Sequence, residues 1–256
     1  MIQISAVIIT YNEEKKIARC IASVKNVADE ILIVDSFSTD QTKAISIADG
    51  AKVIERRFEG YTAQKNFAVQ EAKYDYILSL DADEYLSPEL ENSIFKIKSN
   101  WAADGYAPNR LNSYAGKWIR SCGWYPDRKI RLFDRRRGSW HGDLVHEVVR
   151  MDKDSKVATL EGDILHEAYD NASQLISKMQ GQYADLFARA NVHKKKVTTF
   201  KIIYKTFASF FKSYILKGGI WDGYEGLVIS VSNANGVFYK YAKLLELNRS
   251  EKQKSK

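Results

Sequence analysis

The chain has 256 residues, 45% hydrophobic and 28% charged, with a net charge of +7, so it can form one large globular domain with an appendage. Its two cysteines, Cys20 and Cys122, lie far apart and outside any CxxC pair, which excludes a cysteine-based zinc or redox motif; we expect two reduced thiols. No uncharged run reaches the roughly 18 residues of a membrane span, and the N-terminus leads directly into a strand pattern, so we expect a cytoplasmic protein without an export signal.

Apolar runs and helical spacings alternate along the first 80 residues. Strands are predicted at Ile4–Thr10, Glu30–Val34, Ala51–Ile54 and Tyr76–Leu80. Helices are predicted at Glu13–Val24, Asp40–Ala48 and Gly60–Ala72. Strands and helices alternating at this interval predict an α/β fold with a mixed, mainly parallel sheet flanked by helices.

Polar residues follow three of these strands at their carboxyl ends. They are the segments Thr10–Asn12, Asp35–Ser36 and Asp81–Asp83. In open α/β sheets the ligand crevice lies outside these strand ends, so we expect the three segments to converge on one site.

Asp81 and Asp83 form a D-x-D pair directly after a buried strand. Two carboxylates at this spacing supply hard oxygen ligands for Mg²⁺ or Mn²⁺, which also accept diphosphate oxygens. A solvated acidic turn is the alternative. Because no GxGxxG or GxxxxGK[ST] motif is present, a nucleotide would have to be held by side chains and a metal.

The second half of the chain divides by pattern into further regions. Residues 105–166 hold short aromatic and basic stretches that predict an irregular, β-rich half, and the chain is helical by pattern from Ala172. We therefore predict an α/β half at 1–104, a β-rich half at 105–170, a helical appendage at 171–249 and a disordered basic tail at 250–256.

Four ordered segments resemble the signatures of family 2 inverting glycosyltransferases, which have the GT-A fold. They are Val7–Glu13 (VIITYNE), Ile33–Asp40 (IVDSFSTD), Gln64–Asn66 (QKN) and Leu80–Glu84 (LDADE). Later segments resemble the bacterial lipopolysaccharide-core glucosyltransferases within that family: Trp124–Asp127, Arg131–Phe133, Val145–Glu147 and Gly218–Gly223. Phe37 departs from the family, which usually has a small residue there.

The resemblance implies that residues 1–104 form the nucleotide-sugar-binding half and residues 105–170 the acceptor-binding, catalytic half. The donor it implies is a UDP-sugar, with glucose as the first candidate. Thr10 and Asn12 would line the nucleotide pocket, and Asp35 would accept hydrogen bonds from uracil. Asp81 would face the ribose and the metal, while Asp83 would bind the metal on the diphosphate.

Further residues acquire candidate roles from the same resemblance. Lys65 would balance phosphate charge, and Arg131 could bind the diphosphate or an anionic acceptor. Glu147 is the candidate general base, with Asp143 as the alternative, because inverting transfer needs a base opposite the leaving diphosphate. His166 could join the metal, although a lone histidine is more often structural.

The C-terminal third carries the positive charge. From Asn171 onward there are 15 basic and 5 acidic residues. Val197–Leu216 predicts an amphipathic helix with an aromatic stripe (Phe200, Ile203, Tyr204, Phe207, Phe211, Tyr214 and Ile215) and lysines on its flank (Lys201, Lys205 and Lys212). This pattern favours peripheral binding to an anionic membrane, on the cytoplasmic face of the inner membrane.

Three alternatives stand beside this hypothesis. The stripe could pack on the catalytic domain instead of lipid. The basic third could bind nucleic acid, although no reader motif accompanies it and we expect no nucleic-acid partner. The fold could also be an inactive nucleotide-binding scaffold. The main expectation is a metal-dependent transferase acting on a lipopolysaccharide-core or other lipid-linked glycan.

Overall fold

The computed structural model describes residues 1–142, 147–177, 183–192, 194–195 and 197–254. The chain forms two compact units. The first contains Met1–Leu111 and Pro126–His166, and the second contains Asn112–Tyr125 with the described residues of Glu167–Lys256. Most residues of the two predicted halves, 1–104 and 105–170, fall in the first unit, and their strands share one sheet.

Four parallel strands form one side of this sheet. They are β1 (Ile4–Thr10), β2 (Glu30–Asp35), β3 (Lys52–Glu55) and β4 (Tyr76–Asp81), in the spatial order β3-β2-β1-β4. The connecting helices are α1 (Ile17–Val24), α2 (Thr42–Ala48) and α3 (Tyr61–Glu71). The predicted βαβ pattern is therefore confirmed over the first 80 residues.

The sheet continues beyond β4 in the order β4-β8-β6-β11-β5, and β7 pairs with β6. The pairs β4–β8, β8–β6, β6–β7 and β11–β5 are antiparallel. The remaining strands and the next helix are β5 (Glu84–Leu86), α4 (Pro88–Ser99), β6 (Gly105–Tyr114), β7 (Lys117–Trp118), β8 (Leu132–Asp134), β9 (Gly138–His141), β10 (Val148–Met151) and β11 (Val157–Tyr169). Strands β9 and β10 pair separately as an antiparallel ribbon. The region predicted to be β-rich thus completes a mixed sheet flanked by helices.

Strand β1 is buried on both faces, as its continuous apolar run predicts. Alternate side chains enter two cores: Ile4 and Ile8 belong to the cluster that includes α1 and α4, while Val7 and Ile9 belong to the cluster that includes α3. Because both faces are covered, only the strand ends and the loops that follow them can offer polar groups to a ligand.

The second unit is mainly helical. Its helices are α5 (Ala172–Ser177), α6 (Tyr183–Asn191), α7 (Thr199–Phe211) and α8 (Gly223–Lys254). A π-helical turn (Lys212–Leu216) and a 3₁₀ turn (Gly219–Asp222) lie between α7 and α8. Helix α8 continues to Lys254, through most of the segment predicted to be disordered; residues 255 and 256 lie outside the described residues.

Helix α7 and the π-helical turn together form the predicted amphipathic helix. Thr198 begins it, because its side-chain oxygen accepts the Lys201 N–H. The side chain that α7 buries is Ile202, which joins Leu244 of α8 in the core of the second unit. The predicted aromatic stripe stays outside that core: Phe200 is 78% exposed and Phe207 is 71% exposed.

Both cysteines are free thiols, as predicted, and the structure buries both. Within the described ranges, no helix combines the length and apolarity that crossing a bilayer requires.

Candidate active site

The strand register brings the predicted polar segments together. Thr10, the last residue of β1, pairs with Asp35 at the end of β2. Ile9 pairs with Asp81 at the end of β4 on the other side of β1. The three strand ends therefore meet at one edge, which is where the sequence predicts the crevice.

Asn12 and Asp35 organise the loops that follow β1 and β2. The Asp35 carboxylate, fully buried, accepts hydrogen bonds from the Ser38 N–H at 2.7 Å and from the Ser38 hydroxyl. Asn12 accepts the Thr39 N–H through its side chain at 2.8 Å. Phe37, between them, has φ = 61°. This left-handed backbone conformation is strained for a residue with a side chain and unstrained for glycine. These hydrogen bonds fix the loop shape around the predicted nucleotide pocket.

Lys65 joins two acidic side chains of the site. Its ammonium lies 2.9 Å from Asp81 Oδ1 and 3.3 Å from Glu147 Oε1, and the residue is 1% exposed. The ring of Trp140, centred 4.5 Å from Nζ, adds a cation–π contact. The sequence predicts that Lys65 balances the charge of a phosphate. In the structure its ammonium lies between Asp81 of the D-x-D pair and Glu147, the candidate base.

Asp83 contacts His166. The distance from Asp83 Oδ2 to His166 Nε2 is 3.2 Å, and His166, opposite Glu84 in the register of β11 with β5, is 8% exposed. Burial acts to raise the pKa of Asp83, but the charge and hydrogen bond of His166, together with Arg110, outweigh it and lower that pKa. The carboxylate is thus held in its charged, metal-binding form.

Glu84 belongs to the LDADE segment, but the sequence assigns it no separate role; its side chain lies at the centre of the contacts that hold the D-x-D turn. It is fully buried; one carboxylate oxygen contacts Arg110 and Arg131, and the other accepts the Asp81 N–H at 3.0 Å. Burial alone would raise the pKa of Glu84, but Arg131, Arg110 and His166 lower it to about 2. Glu84 therefore anchors the turn that carries both aspartates.

Arg131 is 5% exposed and lies beside Glu84. Its Nη2 lies 3.1 Å from Glu84 Oε1 and 3.8 Å from Asp81 Oδ2. In the described part of the chain, neither Nε nor Nη1 has a hydrogen-bond partner, and both are buried. The N–H groups on these two nitrogens can therefore donate hydrogen bonds to the oxygens of a phosphate.

The donor set fits a divalent metal that shares its coordination with a substrate. No group of three or more metal-binding side chains occurs among the described residues. Asp83 and His166, however, place one carboxylate and one imidazole nitrogen side by side. Mg²⁺ and Mn²⁺ accept such a partial set because diphosphate oxygens and water complete it.

The alternative base, Asp143, lies outside the described residues, whereas Glu147 is described and reaches Lys65. The structure therefore brings together six predicted site residues, Lys65, Asp81, Asp83, Arg131, Glu147 and His166, in the first unit, which also holds Thr10, Asn12 and Asp35.

The mixed, mainly parallel sheet, with acidic and polar groups at the carboxyl ends of its parallel strands, is consistent with the GT-A fold. Residues 5–148, more than half of the chain, match glycosyl transferase family 2. The chain belongs to this family, and it is accordingly a glycosyltransferase. This result supports the predicted enzyme over the nucleic-acid-binding alternative.

The relatives extend over nearly the whole chain. An uncharacterized glycosyltransferase of Rickettsia typhi, RT0209, is 34% identical over 97% of this chain and 88% of its own length. LpsC of Rhizobium meliloti, a lipopolysaccharide core biosynthesis glycosyltransferase, is 29% identical over 95% of this chain and 92% of its own length.

Among solved structures, S. aureus TarS 1–349 is similar over 99% of this chain and 92% of that chain, with 15% identity and a TM-score of 0.43. Glucosyl-3-phosphoglycerate synthase from Mycobacterium tuberculosis, solved with Mn²⁺ and UDP-glucose, covers 43% of this chain and 44% of that chain, with 22% identity and a TM-score of 0.37.

Proposed function

We propose that this enzyme transfers a hexose, with glucose as the first candidate, from a UDP-sugar to a lipopolysaccharide-core or other lipid-linked glycan, with inversion at the anomeric carbon. Family membership supports the transfer, and the similarity to LpsC supports the class of acceptor. The observation that carries the proposal is the pairing of Asp83 with His166 beside the buried cations Lys65 and Arg131.

Asp83 and the neutral imidazole of His166 would hold Mg²⁺ or Mn²⁺, with Asp81 as a further candidate ligand. Such an ion supplies positive charge that stabilises the departing diphosphate. The hydrogen bond from the Asp81 N–H to Glu84 keeps the turn fixed, so that the carboxylates need little rearrangement when a donor binds.

Arg131 would bind a diphosphate oxygen through its unused donors. Its packing beside the Trp140 ring, at 5.3 Å from Cζ to the ring centre, holds the guanidinium plane in place. Thr10, Asn12 and Asp35 would form the nucleoside part of the pocket. The Thr10 hydroxyl oxygen is buried without a hydrogen-bond partner among the described residues, which leaves it available for this role.

Glu147 would accept the proton of the attacking acceptor hydroxyl as the new glycosidic bond forms and the bond to the diphosphate breaks. Lys65 would orient this carboxylate, because its ammonium contacts Glu147 and Asp81 at once. That bridge fixes the separation between the base and the donor side of the site.

The acceptor class and the charge distribution support a location at a membrane surface, on the cytoplasmic face of the inner membrane. Helix α7 exposes its aromatic stripe and carries Lys201 and Lys205, with Lys212 in the turn that follows. Aromatic side chains bordered by lysines suit the interface of an anionic bilayer.

A panel of nucleotide-sugars tests the donor assignment. We expect UDP-glucose with Mn²⁺ to raise the melting temperature more than the GDP- or ADP-sugars do, and to be turned over with a lipopolysaccharide-core acceptor. Equal shifts across all nucleotides would contradict a uridine pocket. Binding of UDP-sugars without transfer to any acceptor would instead favour the inactive scaffold.

A further inference from the structure

The turn between α7 and α8 exposes a tryptophan. Trp221 is 87% exposed, and three large apolar neighbours, Leu216, Ile220 and Tyr224, are exposed by 67%, 45% and 68%. All five tryptophans of the chain lie in the described residues, and the other four are buried or half-buried. A cluster of large apolar side chains that are exposed together marks a surface that binds a partner or a membrane.

The backbone beneath Trp221 is fixed by close packing. Gly219 has no room for a side chain, because an added Cβ would lie 2.9 Å from both Cys122 Sγ and Ser230 Oγ. A Cβ on Gly226 would meet the carbonyl oxygen of Gly219 at 1.8 Å. These two glycines let the 3₁₀ turn press against the core of the second unit.

Polar contacts hold the same turn. Asp222 accepts a hydrogen bond from Ser121 and lies 3.1 Å from the ammonium of Lys117. The Trp221 N–H donates to the Gly218 carbonyl at 3.0 Å, and Gly218 has φ = 70°. The side chain of Trp221 is therefore exposed on a turn whose backbone is already ordered before any partner binds.

The charged residues near the Trp221 turn indicate which kind of partner contacts its exposed side chains. Thr199–Lys217 contains four lysines and no acidic residue, and the nearby carboxylates of Asp222 and Glu225 are both paired with Lys117. A second copy of the chain would bring these lysines against one another, which opposes association, whereas an anionic bilayer attracts them. Tryptophan is also enriched at the membrane–water interface, where its apolar ring and its N–H are both accommodated.

We propose that Trp221 is an interfacial anchor that inserts into an anionic bilayer from the rigid Gly218–Gly223 turn. This inference rests on the membrane part of the proposed function and is independent of the transfer chemistry. The lysines bring the protein to the surface, and the tryptophan adds a contact that salt does not screen.

Tryptophan fluorescence tests the anchor directly. On addition of vesicles of phosphatidylethanolamine and phosphatidylglycerol, we expect the emission to shift to shorter wavelength and to be quenched by lipids brominated in the acyl chain. Trp221→Phe should lose the quenching, while the matched variant Trp118→Phe, which alters a half-buried tryptophan, should keep it.

Vesicle affinity gives the second measurement. Trp221→Ala should weaken binding by about tenfold or more, and Phe95→Ala, which removes an exposed ring of α4, should leave it unchanged. Vesicle binding without quenching of Trp221 would overturn the anchor alone. Absence of vesicle binding would overturn both the anchor and the membrane part of the proposed function. A blue shift that follows protein concentration without lipid would overturn the anchor in favour of a second copy.

Discussion

Asp83 is the residue on which the proposed metal site depends most. Its carboxylate lies against His166, so replacing it with an amide removes one charge and a hard ligand while keeping the shape. We expect Asp83→Asn to abolish transfer at saturating donor and to weaken Mn²⁺ binding in the presence of UDP, measured by calorimetry. The melting temperature without metal should change little.

Asp49→Asn is the matched control, because Asp49 is a surface aspartate paired with Lys25. It should retain wild-type transfer and Mn²⁺ binding. Near wild-type turnover by Asp83→Asn would instead rule out Asp83 as the essential ligand.

Glu147 is the candidate base, and its neutral analogue separates chemistry from binding. Glu147→Gln cannot take the proton of the acceptor hydroxyl, so kcat should fall by roughly 10²–10⁴-fold. The KM for the UDP-sugar should change little. Steady-state kinetics with varied donor and acceptor measure both constants. If donor binding is lost while kcat survives, Glu147 serves the donor, and Asp143→Asn becomes the variant that should stop turnover.

At the scale of the element, the end of β8 offers a test of stability against pH. Asp134 is largely buried and accepts hydrogen bonds from the Arg136 side chain at 2.9 Å and 2.6 Å. Burial acts to raise the pKa of Asp134, but Arg136 outweighs it and lowers that pKa in the folded protein. The resulting stabilisation is complete above the unfolded pKa, about 3.9, and is lost as the pH falls through the folded value.

We therefore expect Asp134→Asn to lower the free energy of unfolding at pH 7, and the difference from wild type to shrink as the pH falls below about 4. Urea denaturation across this range measures the difference. Asp154→Asn, which removes an exposed partner of Arg137, should have the smaller effect at pH 7. A difference for Asp134→Asn that is constant with pH would contradict the ion pair as its source.

The elements that the sequence predicted well are those whose signal is local. Strands β1 and β2 were predicted to within a residue from apolar runs. Helix α1 ends at Val24 as predicted but begins at Ile17 and not at Glu13, since the intervening residues form turns that apolar spacing does not distinguish. The order of strands beyond β4 could not be predicted, because β4 pairs with β8 across some fifty residues of chain.

The same limit applies to the site. The strand-end aspartates were found because each follows an apolar run. The role of Glu84 depends on Arg110 and Arg131, which lie 26 and 47 positions further along the chain, so no local pattern marks it. The position of Lys65 likewise depends on Glu147, 82 positions away. Contacts of this separation are set by the topology of the sheet and become visible only in the folded chain.

At the scale of the whole molecule, the proposed catalytic residues and the excess of basic residues lie in different parts of the chain. The carboxylates of the proposed donor site belong to the first unit, and the net positive charge belongs to the C-terminal third. Membrane attachment and sugar transfer should therefore be separable by mutation, provided that each substitution stays on its own surface.

Charge reversal on α7 is the test of that separation. Each lysine near an anionic leaflet contributes on the order of 1 kcal/mol, so replacing Lys201, Lys205 and Lys212 with glutamate should weaken binding to anionic vesicles by about two orders of magnitude or more. Transfer to a short soluble acceptor should survive, because these lysines lie outside the proposed site. Cosedimentation with anionic and neutral vesicles at two salt concentrations measures the first effect, and turnover on the soluble acceptor measures the second.

Wild type should keep part of its binding at high salt, because burial of the aromatic stripe is not screened. Cosedimentation unaffected by the triple substitution would contradict an electrostatic contact through α7, while a parallel loss of soluble-acceptor turnover would show that the two functions are not separable.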